Sequence, residues 1–61
     1  MKTKKLTKWE IATMLDEFER DLGHNWRMPP HVWVDMYTRA ELVEHYNFMV
    51  RIHYMGRKEI S

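Results

Sequence analysis

Apolar residues recur at helical spacing in two stretches of this 61-residue chain, with an irregular segment between them. In the first, Ile11, Met14, Leu15, Phe18 and Leu22 fall at i, i+3, i+4, i+7 and i+11. They form one stripe about 100° wide, and Asp16, Glu17, Glu19 and Arg20 lie on the other side. The spacing predicts a helix from about Lys8 to Leu22, closed by Gly23 as a left-handed residue just past its end. Trp9 lies off the stripe, so it covers the helix start or stands exposed. In the second stretch Leu42, Tyr46, Met49 and His53 centre one face, with Val43, Val50 and Tyr54 on one side of it and His45 and Ile52 on the other. This predicts a helix from Arg39 to about Met55, with Gly56 ending it and residues 56–61 as a tail. Its apolar arc is about 200° wide, about twice what packing on a single helix requires. Phe48, Ile52 and Met55, at i, i+4 and i+7, form a second stripe beside Glu44 and Arg51. Either the proline-rich middle wraps over that stripe, or a partner or a second copy covers it.

Both helices carry the same start signal. Thr7-Lys8-Trp9-Glu10 and Thr38-Arg39-Ala40-Glu41 read as capping boxes, in which Thr accepts from the third helical N–H and Glu accepts from the N–H of the cap. Leu6 before the first cap and Tyr37 before the second can staple onto Ile11 and Leu42. In the middle, Pro29-Pro30 forbids helix and holds Met28 and Pro29 extended, after which a proline can open a short helical turn through His31–Met36. Trp26, Met28, Trp33 and Met36 give this connection more apolar surface than a solvated loop carries, so it is expected to fold back as a lid over the long helices. The predicted fold is all-α: one domain, 1–61, with two long antiparallel helices and a proline-started helical turn packed between them. Ile11, Leu15, Phe18 and Leu22 are expected to meet Leu42, Tyr46, Met49 and His53 in its core.

A chain of this size buries only about 60% of its unfolded surface, so unstapled scaffolds of this length gain from oligomerisation or docking. There is no Cys, hence no disulfide or thiolate metal site, which suits a cytoplasmic setting. Apolar runs such as Phe48-Met49-Val50 are far too short for a membrane span, and no apolar segment follows the first lysines, so no membrane association or secretory leader is expected. The net charge is +1, but Lys2, Lys4, Lys5 and Lys8 make an N-terminal arm of +4. That arm could touch phosphate or an acidic partner, or simply solvate the terminus.

Nothing in the chain reads as catalytic machinery. The two glycines both look like helix ends, the one Ser is Ser61, and the carboxylates of the first helix sit on a solvent face. Of four histidines, His24 and His31 flank the prolines, whereas His45 and His53 lie eight apart, so none makes the i, i+4 pair that helical zinc sites favour. His53 reads as a core histidine and Glu41 as a cap. No enzyme activity, metal, cofactor or small-molecule substrate is expected. A nucleic-acid-reading helix would need basic or amide side chains along one exposed face. The third segment offers Arg39, Asn47 and Arg51, interrupted by Glu41, Glu44 and Phe48.

The stretch from Met28 to Leu42 runs proline, an aromatic three residues on, Met, a Thr cap and Glu-Leu opening a helix. This pattern resembles small tailed-bacteriophage proteins, above all the tail-assembly chaperones that assist the tape-measure protein, over about residues 26–54. The resemblance implies a phage-encoded, non-catalytic adaptor or assembly factor acting in the host cytoplasm, potentially virion-associated. Its partner is expected to be a protein or another copy of itself. High Met and aromatic content fits an adaptable binding surface. The expected anchors are Trp26, Trp33, Phe48, Ile52 and Met55. The rival readings are a phage inhibitor that occludes a host enzyme and a nucleic-acid-binding protein that uses the lysine arm.

Overall fold

A computed structural model describes residues 5–61, so Lys2 and Lys4 of the basic arm lie outside the described residues. Three helices follow in order: α1 (Lys8–Asp21), α2 (Pro30–Met36) and α3 (Arg39–His53), with no strand among the described residues.

Both capping boxes form. Glu10 N–H donates to Thr7 Oγ1 at 3.1 Å and Thr7 N–H to Glu10 Oε1 at 2.7 Å; the Thr38 and Glu41 pair repeats this at 3.2 and 2.8 Å. Leu6 and Tyr37, the residues before the two caps, both pack against the core. At the end of α1, Gly23 takes φ +85°, its N–H reaching Arg20 O (3.0 Å) and the His24 N–H reaching Glu19 O (3.1 Å). This is the Schellman pattern of two bonds closing over a left-handed residue. In α2, Pro30 occupies the first helical position and Pro29 is extended at φ −61°, ψ 152°, as the prolines require.

The core consists of Ile11, Ala12, Leu15 and Phe18 from α1, Trp33 from α2, and Leu42, Tyr46, Met49 and Val50 from α3. Phe18 is fully buried and meets the Tyr46 ring edge-on at a centroid distance of 5.8 Å. Leu22 is only half-buried, because it caps α1 where the chain turns away.

The two long helices do not form the expected antiparallel pair. At one end Arg39, the first residue of α3, donates through Nε to Leu6 O just before α1, at 2.7 Å. At the other, Phe18 meets His53 and Arg57 pairs with Asp21. Start therefore lies by start and end by end, so α1 and α3 run in the same general direction. The reason is the connection: the extended prolines and α2 return the chain along α1, so α3 begins beside the start of α1 rather than its end.

Two further expectations change at the C-terminal side. Helix α3 stops at His53, two residues short of Met55, and His53 is exposed rather than part of the core. Tyr54 (φ 58°, ψ −76°) and Met55 (φ 49°) turn the chain sharply in left-handed geometry, and Gly56 (φ +74°) completes the reversal. The turn places the Arg57 guanidinium 4.7 Å above the centre of the Phe18 ring, closing the end of the core that His53 was expected to fill. The 56–61 tail is not loose. Asn47 pairs with the Ile60 backbone in both directions, Nδ2 to O at 2.6 Å and N–H to Oδ1 at 2.7 Å, and Ile60 packs against the core. Arg51 to Glu59, and Arg39 to Ser61 O at 3.0 Å, fix the same strap along α3.

Candidate interaction face

Helix α3 presents its core residues on one side and a second set on the other. Opposite Leu42, Tyr46, Met49 and Val50 stand Glu41, Glu44, His45, Phe48, Arg51 and Ile52, with Met55 in the turn past the helix end, all exposed. Phe48 is 53% exposed, Ile52 57% and Met55 46%. The proline segment does not cover them: α2 packs across α1, and the strap lies along the Asn47 and Arg51 flank. Of the two ways to bury the second stripe, the chain's own middle is therefore not the one used.

An open groove of about 400 Å³ runs between α2 and this face. Trp33, Tyr37, Leu42, His45 and Phe48 line it, with Glu41, Glu44 and Arg51 around them. The Trp33 ring lies 5.3 Å from Tyr37 and 5.0 Å from His45, which joins the α2 wall to α3. Trp33 is 5% exposed, so it belongs to the core and supports the groove from beneath rather than projecting as a surface anchor. Its Nε1 is buried with no hydrogen-bond partner among the described residues, the kind of group whose burial costs about 1–3 kcal/mol.

The other expected anchor, Trp26, is 77% exposed and lines neither this groove nor the core. A second, shallower apolar depression gathers Leu6, Trp9 and Met14 with Glu10 and Thr13 at the start of α1. The offset of Trp9 from the α1 stripe is the sequence signal for it, and Trp9 is 55% exposed.

The polar side chains of α3 that a nucleic-acid reader would need are all engaged within the chain. Arg39 holds Leu6 O and Ser61 O, Asn47 holds Ile60, and Arg51 pairs with Glu59. Lys5 is exposed and Lys8 half-buried. Among the described residues no three His, Asp or Glu side chains gather where they could hold a metal ion. No helix of the described residues is long and apolar enough to cross a membrane. Among the described residues, the one displaced titration belongs to the strap. Burial works against the Arg57 charge, but the Tyr46 and Asp21 side chains outweigh it and hold the guanidinium above its ordinary range. Arg57 is thus a permanent cation that fastens the turn to the end of the core.

Comparison with protein-family models, with curated proteins and with solved structures finds no match to this chain.

Proposed function

We propose that this chain is a non-catalytic protein–protein adaptor or assembly factor, phage-encoded and acting in tail or virion assembly in the host cytoplasm. The observation that carries the adaptor reading is the uncovered pair Phe48 and Ile52, with Met55 just past the helix end, on a helix whose opposite side is already committed to the core. Buried apolar knobs of this kind dominate interface energetics. The phage setting rests on the resemblance of residues 26–54 to tail-assembly chaperones. The engagement of Arg39 and Asn47 within the chain favours a protein partner over nucleic acid. A phage inhibitor that occludes a host enzyme would use the same face and is separated by what the face captures.

The test is capture from phage-infected cells with the immobilised chain, beside Phe48→Asp carried through the same procedure. Virion or tail proteins retained by the parent chain and lost with Phe48→Asp support the reading. A host enzyme retained instead makes the chain an inhibitor. Equal capture by both chains removes the face from the interaction and overturns the proposal.

A further inference from the structure

We infer that the outer face of α3 is a self-complementary dimer surface, on which a second copy of this chain packs its own α3 antiparallel about a twofold axis near Phe48. The inference rests on the adaptor reading of this face and names its first occupant.

The argument lies in the order of charges. Along the exposed face, Glu41 and Glu44 precede Phe48, and Arg51 follows it. A twofold contact pairs residue i of one copy with residue j of the other and j with i. Centred near Phe48, it sets Glu44 of each copy beside Arg51 of the other, twice, with Phe48 against Phe48 between them. A parallel pairing would stack Glu44 on Glu44 and Arg51 on Arg51. Phe48 is the apolar position on that axis, and Ile52 of each copy lies toward the His45 and Glu41 turn of the other. Within α3, His45, Phe48 and Ile52 follow each other at intervals of three and four, a seam that Glu44 and Arg51, seven residues apart, flank on one side.

The surroundings leave room for this occupant. Between α2 and the seam the groove of about 400 Å³ gives the Phe48 ring of the other copy a place to enter, against His45 and the supporting Trp33. Glu44 has no ion pair or hydrogen bond among the described residues, so its carboxylate is available. Arg51 is held only by an exposed pair with Glu59, of a kind worth little in water, and can turn to Glu44 of the second copy.

Charge reversal with mixing tests the arrangement. In sedimentation equilibrium the full chain is expected to be a concentration-dependent dimer. Glu44→Arg and Arg51→Glu each set like charges opposite one another twice, and each should weaken dimerisation about tenfold or more. Mixed in equal amounts, the two variants restore opposite charges at both contacts, so the mixture should dimerise where neither does alone. Circular dichroism of each variant at the parental level confirms that the fold is intact. A parent chain that stays monomeric at several hundred micromolar overturns the inference. So does a mixture that associates no better than its components, since any other dimer would leave the two mutations uncoupled. A monomeric parent that still captures its partner through Phe48 would sink the dimer and leave the adaptor reading standing; equal capture by Phe48→Asp sinks the adaptor reading itself.

Discussion

Helices α1 and α3 begin alike and serve the molecule differently. Each opens on a Thr capping box, the two are 14 and 15 residues long, and each contributes four residues to the core. Away from the core, α1 presents Glu10, Thr13, Glu17 and Arg20, which water solvates at no cost, with Trp9 in its first turn the exception. In the same place α3 presents Phe48 and Ile52, with Met55 just past its end. The capping signal therefore says where a helix starts and nothing about how many neighbours it serves; that information lies in the width of the apolar arc. Past its first turn, α1 has finished its packing, and α3 has not.

The sharpest way to break this contrast is to place the same charge on each side of α3. Leu42→Asp puts a carboxylate at a fully buried position, and the cost of an unpaired buried charge exceeds what a domain of this size can absorb. The expected result is loss of cooperative unfolding and of most helicity by circular dichroism. Phe48→Asp, on the exposed side, should change the stability of the monomer by no more than about 0.5 kcal/mol, as surface substitutions do. If both unfold the domain, the second stripe is core and the two faces are not different in kind.

The strap comes next in size. Asn47→Ala removes both hydrogen bonds to Ile60 and leaves a part-buried N–H and C=O without their partner. A destabilisation of about 1–2 kcal/mol is expected, read as a fall in Tm of about 4–8 °C per kcal/mol for a domain of this length. An unchanged Tm would mean that the strap adds nothing to the α3 flank on which it lies.

The turn into the strap should respond in the opposite direction. Tyr54 is 65% exposed and held at φ 58°, ψ −76°, close to the rare and strained γ-turn geometry. Backbone strain of this kind costs about 1–3 kcal/mol, and Gly relieves it at an entropic cost of about 0.5–1 kcal/mol. Tyr54→Gly should therefore stabilise the chain by about 1 kcal/mol in urea unfolding, with the m-value unchanged. Destabilisation would show that the Tyr54 ring makes contacts worth more than the strain.

These sites also mark what the amino-acid order could reveal. Helix starts were legible because a capping box is closed within four residues, and the end of α1 was legible because Gly23 acts locally. The end of α3 was not. Arg57 reaching Phe18 and Asp21 decides it, and no spacing rule encodes a cation from the tail capping an aromatic in the first helix. The direction of α3 escaped for a related reason: the prolines announce a break in the helix but not how far the chain travels before the next cap. Ala12 was too small to count in the apolar pattern, although its lack of a longer side chain lets it sit fully buried in the core. The exposure of Phe48 and Ile52 on the outer side of α3 was legible as a second helical period, but the turn that takes Met55 off the helix was not. Trp33 reads both as part of a lid and as an anchor, and its burial is that of the lid.

The smallest effect compares the two caps directly. Thr7→Ala and Thr38→Ala each remove one hydroxyl acceptor from an exposed helix start, at about 1 kcal/mol apiece in the usual range. The surroundings of the two caps differ, and so should the response. The start of α3 is held independently by Arg39, which reaches both Leu6 O and Ser61 O, so fraying there must also break contacts outside the helix. At α1, Leu6 is tied by its carbonyl to Arg39, but Lys8 and Trp9 make no such long-range hydrogen bonds among the described residues. Amide exchange should therefore quicken through the first turn of α1 in Thr7→Ala more than through the first turn of α3 in Thr38→Ala. Equal acceleration would mean that Arg39 does not anchor the α3 start, and that the two helices differ only in what their outer faces carry.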